Sequence, residues 1–474
     1  MTNQLILLAV VLTPIIGACA IPVINYFSVK LKSFCALGFV LTSFVLAITI
    51  LPAVYNGQTI TANVFGNPLV YADGLAVFMA LTSAALSAII IFYSFGYISH
   101  YENQTEYYLM VVLFFGAMMG IVFSANLISL YLFWEITAIA SWRLIGFFRE
   151  KQYVLRADKA FLTTMFGSVL MLLGFICVYQ QNGSFDLAVL KNSSISNVAV
   201  LLILVGLISK SAMLPLHTWL PDASVAPSPV TALLHAALLV KIGVYVYARL
   251  FIADNFVIDN FWHTAVPVIA GVSALVCAGA AIIETDIKRI IAYSTISQIG
   301  YIFLGLGIGN EIGVVGAMLY IMMHGITKGG LFLCAGIVEQ NTKIKDITKL
   351  GGLIKTMPVT AISFLLCSFS VMGIPPFGGF FSKYMVITAA IQNNQPWLSF
   401  IFLAGAFMTI IYLLRVFTLV FMGQMKLQSV KEGSAVMLIS VAALAILSIA
   451  GGILIYYPSH FLHLSAQFLP GICK

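Results

Sequence analysis

Lys210, His217, Asp222, His235 and Lys241 stand within residues 207 to 247, in surroundings otherwise apolar enough to belong in lipid. An ammonium at the middle of a bilayer costs from about 3 to more than 10 kcal/mol, so a chain that keeps two lysines there has a use for them. The chemistry open to amines, imidazoles and a carboxylate in an apolar setting is proton transfer. The same stretch carries Pro215, Pro221, Pro227 and Pro229, which break helix hydrogen bonding at membrane depth. Freed backbone groups are tolerated there only beside protein or a water-lined cavity, and a broken helix flanked by ionisable groups marks an ion or solute path. The structural alternative is a kinked helix whose lysines snorkel to the surface.

Six basic residues fall inside apolar runs: Arg143, Lys210, Lys241, Lys328, Lys383 and Arg415. One acid, Glu135, sits near the middle of such a run. This excess of buried positive charge is unstable unless some of the lysines are neutral, since burial favours the uncharged amine. Lysines poised to lose a proton are what a relay needs. Each group also has a structural reading. Glu135 would be a counter-ion for Arg143, although two helical turns separate them by about 11 Å. His235 and His324 would be hydrogen-bonded core histidines, Arg415 a packing or lipid-facing residue, and Asp73 a helix cap.

The elements that position these groups follow from composition. Apolar residues make up 61% of the 474 and charged ones 8%, far from the roughly 25% charged of a soluble domain. The chain therefore reads as an all-α polytopic membrane protein. Apolar runs near the spanning length of about 20 residues occur at 4–24, 33–54, 73–97, 107–125, 127–148, 158–180, 197–220, 229–250, 263–283, 288–309, 312–338, 357–391, 398–422 and 434–457. The count predicts about fourteen transmembrane helices. The run 357–391 exceeds one straight helix and is interrupted by GIPPFGGF at 373–380, so it predicts a second broken helix. The first run has no preceding Lys or Arg and no clear small-residue cleavage site, and so reads as a retained span. Seven single cysteines without paired spacing argue against metal, cluster or disulfide roles.

Lys30, Lys32, Arg149, Lys151, Arg156, Lys159, Lys288, Arg289, Lys343, Lys345, Lys349, Lys355, Lys426 and Lys431 fall on one side of a fourteen-span arrangement, against Lys191, Arg249 and Lys474 on the other. The positive-inside rule makes the first side cytoplasmic and both termini external, or periplasmic. The net charge of +7 is thus a topology signal, and nothing in it points to nucleic acid.

Five stretches resemble the antiporter-like membrane subunits shared by respiratory complex I, the Mrp-type sodium/proton antiporters and the membrane-bound energy-converting hydrogenases. They are NLISLYLFWEITAIASW, SKSAMLPLHTWLPDASVAPSPVTALLHAALLVKIGVY, ETDIKRIIAYSTISQIGY, HGITKGGLFLCAG and GIPPFGGFFSKY. The resemblance implies two inverted five-helix repeats, each with a broken helix. The corresponding division is 1–106 for an N-terminal three-helix segment, 107–250 for the first repeat, 251–287 for a connecting helix, 288–422 for the second repeat and 423–474 for a C-terminal helix. It implies a proton relay of Glu135, Lys210, His235, Lys241, His324, Lys328 and Lys383, in which Glu135 stabilises the Lys210 ammonium. Arg143 departs from the complex I pattern and is nearer the hydrogenase-associated one. The sequence stops soon after its last span, so the long lateral helix of the most distal complex I subunit is not expected.

No Rossmann glycine fingerprint, cluster spacing or haem motif is visible, so no cofactor or metal is expected in this chain. Any redox chemistry would belong to partners: other membrane subunits, a second antiporter-like subunit, and a redox or Mrp-type module in the inner (cytoplasmic) membrane. The expected function is proton translocation, with or without sodium exchange, in a redox-driven complex I-like or hydrogenase assembly. The alternatives are an Mrp-type antiporter subunit without redox chemistry, a stand-alone solute carrier, and a purely scaffolding subunit. Whether the chain counts as an enzyme depends on that assembly.

Overall fold

The computed structural model describes residues 3–28, 31–64, 66–254, 256–427 and 430–467; Lys30 and Lys474, used above, and one of the seven cysteines, Cys473, lie outside them. The apolar runs fold as helices because a backbone in hydrocarbon must satisfy its own hydrogen bonds. In chain order these are α1 (Asn3–Phe27), α2 (Leu31–Tyr55), α3 (Gly74–Tyr97), α4 (Gln104–Val122), α5 (Leu127–Ile145), α6 (Lys151–Asn182), α7 (Leu187–Leu190), α8 (Asn197–Lys210), α9 (Trp219–Asp222), α10 (Ser228–Ala232), α11 (Leu239–Tyr247), α12 (Asn260–Ile283), α13 (Ile287–Ile308), α14 (Glu311–Thr342), α15 (Pro358–Met372), α16 (Gly378–Gln392), α17 (Pro396–Phe421), α18 (Ala435–Ile453) and α19 (Tyr456–Gln467). Among the described residues twelve helical segments are long and apolar enough to span a membrane. Two further crossings are each built of two pieces, α8 with α9 and α15 with α16, which brings the number to the expected fourteen.

A short antiparallel hairpin, β1 (Ile60–Val64) and β2 (Asn67–Ala72), fills the α2–α3 connection. It was not foreseen from the sequence. Tyr71 donates its N–H to the Phe123 carbonyl at 2.7 Å, and Ala125 donates to the Leu69 carbonyl at 3.1 Å, so the hairpin is clamped over the α4–α5 turn.

Burial is graded. The span Ser228–Ala253 is buried along its whole apolar window and α13 and α14 nearly so, whereas α1, α2, α17 and α18 leave most of theirs uncovered. Deep helices carry His235, Lys241, His324 and Lys328, which places them in the middle of the protein rather than against lipid.

Both predicted breaks are present. α8 stops at Lys210, Ala212 takes a left-handed φ of 53°, and the chain turns before α9. A left-handed alanine is strained, and such residues persist where surrounding structure over-determines them. Trp219 Nε1 caps the Ser209 carbonyl at 3.0 Å. α15 ends on Gly373, whose φ of 81° is open to glycine at no steric cost. A third interruption was not expected: Leu238, at φ −124° and ψ −74°, separates a π-helical turn at Leu233–Ala237 from α11.

Candidate functional site

Lys210 is fully buried at the end of α8. Its Nζ donates to the Trp134 carbonyl at 3.4 Å and lies 5.3 Å from the centre of the Trp134 ring. The expected Glu135–Lys210 ion pair is not formed. Adjacent residues on a helix point about 100° apart, so with Trp134 inward, Glu135 turns toward the rim, where it is half-buried beside the exposed Ile128, Leu132 and Ile139. Its Oε1 has no hydrogen-bond partner. Nor does Arg143 pair with Glu135: Arg143 Nε bonds Glu106 Oε1, and Arg149 Nη2 bonds Glu106 Oε2 at 2.6 Å.

The centre of the site is the Leu238 interruption. Where the helix breaks, the carbonyls of His235 and Ala236 lose their usual amide donors, and Lys241 Nζ supplies both, at 3.2 and 2.5 Å. The same Nζ meets His324 Nδ1 of α14 at 2.7 Å. This contact works in two protonation states: an ammonium donates to Nδ1, or an Nδ1–H donates to the amine. Gly243 lets α11 pack closely on the end of α8, since a Cβ there would stand 2.5 Å from the Leu207 carbonyl and 2.2 Å from Ser211 Oγ. The ring of His235 packs on Phe332 at 4.5 Å, and neither of its nitrogens has a hydrogen-bond partner.

One turn further along α14 from His324, Lys328 Nζ donates to Ser294 Oγ and to the Ile291 carbonyl of α13. Ser294 is 2.6 Å from the Tyr412 hydroxyl, and Tyr320 donates to Gln298 Oε1 at 2.6 Å. Lys383, on α16 beyond the second break, donates to the Val371 carbonyl at 2.7 Å and lies over the rings of Tyr301, at 4.6 Å, and Tyr320, at 5.7 Å. The ring of Tyr320 lies 6.0 Å from that of His324. A run of contacts thus connects the His235 carbonyl, Lys241, His324, Tyr320 and Lys383.

Of the seven candidate residues, only Lys241 and His324 touch directly by their side chains. Sequence reasoning passed over Ser294, Gln298 and Tyr301, whose signal was polar groups spaced by three and four residues in an otherwise apolar helix. Lys210, Lys241, Lys328 and Lys383 are 0–4% exposed, and the ion pairs among the described residues all lie elsewhere. No group of three or more His, Cys, Asp or Glu able to hold a metal ion is present among the described residues.

Paired charges gather at the two faces. On the lysine-rich face Asp222 bonds Lys159 at 2.6 Å and Arg289 at 2.8 Å, and Arg289 also bonds Glu284 at 2.9 Å. Glu339 there holds Lys288 at 2.9 Å and Lys345 at 3.0 Å. Arg415 donates to the carbonyls of Ile282 and Glu284, both at 2.8 Å, in keeping with a packing role. On the opposite face Asp73 both caps α3 through the Ala76 N–H, at 2.9 Å, and grips Arg249 with two bonds of 2.6 and 2.8 Å.

Comparison with known proteins locates this arrangement. The family described as NADH:quinone oxidoreductase/Mrp antiporter, TM, matches residues 124–409, well over half of the chain. The chain is 32% identical to proteins named Na(+)/H(+) antiporter subunit A1 from Staphylococcus haemolyticus (strain JCSC1435) and from Staphylococcus aureus, over 94% of its own length. It spans about 60% of the length of these curated relatives. Its fold is that of a chain in the Mrp complex from Dietzia sp. DQ12-45-1b, with a TM-score of 0.89 at 21% identity, covering 98% of this chain and 97% of that one. It is equally that of a chain in the membrane-bound sulfane sulfur reductase, an archaeal respiratory membrane complex, with a TM-score of 0.89 at 23% identity and the same coverage.

Proposed function

Because the chain belongs to the NADH:quinone oxidoreductase/Mrp antiporter transmembrane family, we propose that it is a proton-translocating, antiporter-like subunit of a multisubunit membrane complex. The observation that carries this reading is the set of four buried lysines without acid partners, one of them in direct contact with a buried histidine. The buried cations Arg249 and Lys288, by contrast, hold carboxylates.

The proton moves among Lys210, His235, Lys241, His324, Lys328 and Lys383, and water bridges the groups that do not touch. Glu135 acts on Lys210 through its charge, from the rim of α5. The two halves correspond to residues 107–250 and 288–422, flanked by 1–106, 251–287 and 423–474. The lysine-rich face is cytoplasmic, both termini are external, and the membrane is the inner, cytoplasmic one. Partners are further membrane subunits, including a second antiporter-like chain, and no cofactor is held by this one.

Identity to the Na(+)/H(+) antiporter subunits over almost the whole chain favours sodium as the counter-ion, in an Mrp-type assembly. A redox-driven complex is the second reading, and the subunits that co-purify with the native protein separate the two. The translocation itself is tested by Lys210→Arg. Guanidinium keeps the charge but stays protonated even when buried (above about pH 12), so it cannot cycle a proton. Inverted vesicles holding the assembled variant should lose most proton uptake per subunit, and near-normal uptake would make Lys210 a fixed charge.

A further inference from the structure

On the face opposite the lysine-rich loops lies a cavity of about 350 Å³, walled by the hairpin residues Thr59 and Thr61, by Tyr71, Asp186 and Lys191, and by Ser465 of α19. Two more carboxylates, Asp73 and Asp254, also line it. Their surroundings differ. Asp73 accepts both Arg249 bonds and the Ala76 N–H. Asp254, just beyond the span Ser228–Ala253, is 8% exposed, and its Oδ2 has no hydrogen-bond partner. A carboxyl with one oxygen lacking a donor, buried beside a second acid, gains little from its charge.

We propose that this cavity is a second proton-access site of the chain, at which Asp254 is the carboxyl that takes up and releases the proton. The proposal rests on the proton-translocating reading above and adds an opening to the first half. The charged and titratable groups around Asp254 are Asp73, Arg249, Tyr71, Tyr245 and Lys191, with Asp186 also lining the cavity. Burial pushes Asp254 up most, Arg249 opposes this, Asp73 adds to it and Lys191 opposes, leaving it at about 7. Burial also pushes Asp73 up, but the charge and hydrogen bonds of Arg249, with the Ala76 N–H, outweigh it and hold that carboxyl below its ordinary value. Two acids with values driven apart divide the roles: one stays charged as an anchor and the other exchanges.

The cavity lies at the end of the span that carries Lys241. Lys241, Tyr245 and Arg249 recur at intervals of four on one face of their span, covering about 12 Å. Tyr245 accepts from Arg249 Nη2 at 2.8 Å, and the Asp254 N–H closes on the Arg249 carbonyl at 2.8 Å.

Infrared difference spectroscopy of the purified protein, titrated from pH 5 to 9, tests the assignment without relying on transport. A protonated-carboxyl band should fade with a midpoint near 7 in the wild type and be missing in Asp254→Asn. No such band, or one that survives in Asp254→Asn, overturns the proposal. Should Asp254→Asn fail to assemble, Ala188→Cys at the cavity mouth, labelled with a cationic thiol reagent, should move the midpoint down by about half a unit; an unmoved midpoint has the same adverse meaning. In vesicles, Asp254→Asn should flatten the dependence of uptake on the pH of the cavity side, and an unchanged profile overturns the access role. If the band titrates as described while wild-type vesicles move no protons, the translocation reading fails and the Asp254 assignment stands.

Discussion

Replacing Lys241 separates its two duties. Its Nζ satisfies the His235 and Ala236 carbonyls at the Leu238 interruption and contacts His324 at 2.7 Å. Lys241→Met removes the donor from both carbonyls. Each bond from a charged donor is worth roughly 1.5–3 kcal/mol net, so the variant should lose on the order of 3–6 kcal/mol, enough to show as reduced assembly. Lys241→Arg retains donors for the carbonyls and should assemble in nearly wild-type amounts, but its guanidinium does not release a proton. A positioned acid–base group contributes roughly 100-fold or more to a proton transfer, so uptake per assembled subunit should fall by about that factor in the arginine variant. The assay is quenching of a pH-sensitive dye in inverted vesicles, normalised to this subunit by immunoblot. Uptake in Lys241→Arg within about twofold of wild type would refute the hand-over between Lys241 and His324 and leave Lys241 as a clasp for the broken helix.

Glu135→Gln should assemble normally, because no ion pair among the described residues depends on Glu135, yet should lower uptake about tenfold through loss of its charge near Lys210; loss of assembly with transport intact per molecule would reverse that assignment. Asp73→Asn should destabilise the protein in detergent by about 3–5 kcal/mol by stranding the buried Arg249, whereas Asp222→Asn, in a half-solvated cluster, should cost about 1 kcal/mol; thermal unfolding followed by tryptophan fluorescence ranks the two, and equal losses would contradict the burial argument. Single cysteines in a cysteine-free background report topology: an impermeant thiol reagent should reach Lys151→Cys only from the cytoplasmic side and Asn3→Cys only from outside, and labelling of Lys151→Cys from outside would overturn the orientation.

The spans were legible because apolar length is a local property, and so were two of the breaks, which Pro215 and the Gly373–Pro376 run announce. The Leu238 interruption was not. No proline or glycine sits at residues 234–240, and the break is held by Lys241 folding back on its own helix and by His324 reaching in from α14, 83 positions away. Lys210, Lys241, Lys328 and Lys383 were legible as interior charges, but Lys32, Arg249 and Lys288, read as loop charges, are buried as well, and the pairing was not legible. Arg143 stands near Glu135 in sequence and pairs with Glu106 across a helix interface; Arg249 meets Asp73 over 176 positions. Helix phase decides such matters, and one residue of phase separated the inward Trp134 from the rim-facing Glu135.

The two charged faces differ in what it takes to part them. Asp73 and Arg249 are enclosed, at 13% and 3% exposed, and separating them breaks two charge-assisted bonds where little water can replace them. The two charges of the Asp222–Arg289 bond each have a second partner on their own side: Lys159 for Asp222, and Glu284 for Arg289. If the Asp222–Arg289 bond opens, both sides remain electrically neutral and wetted. The joint between α9 and α13 can therefore part and reseat at little cost, whereas the Asp73–Arg249 pair, which ties the start of α3 to the span Ser228–Ala253, resists parting.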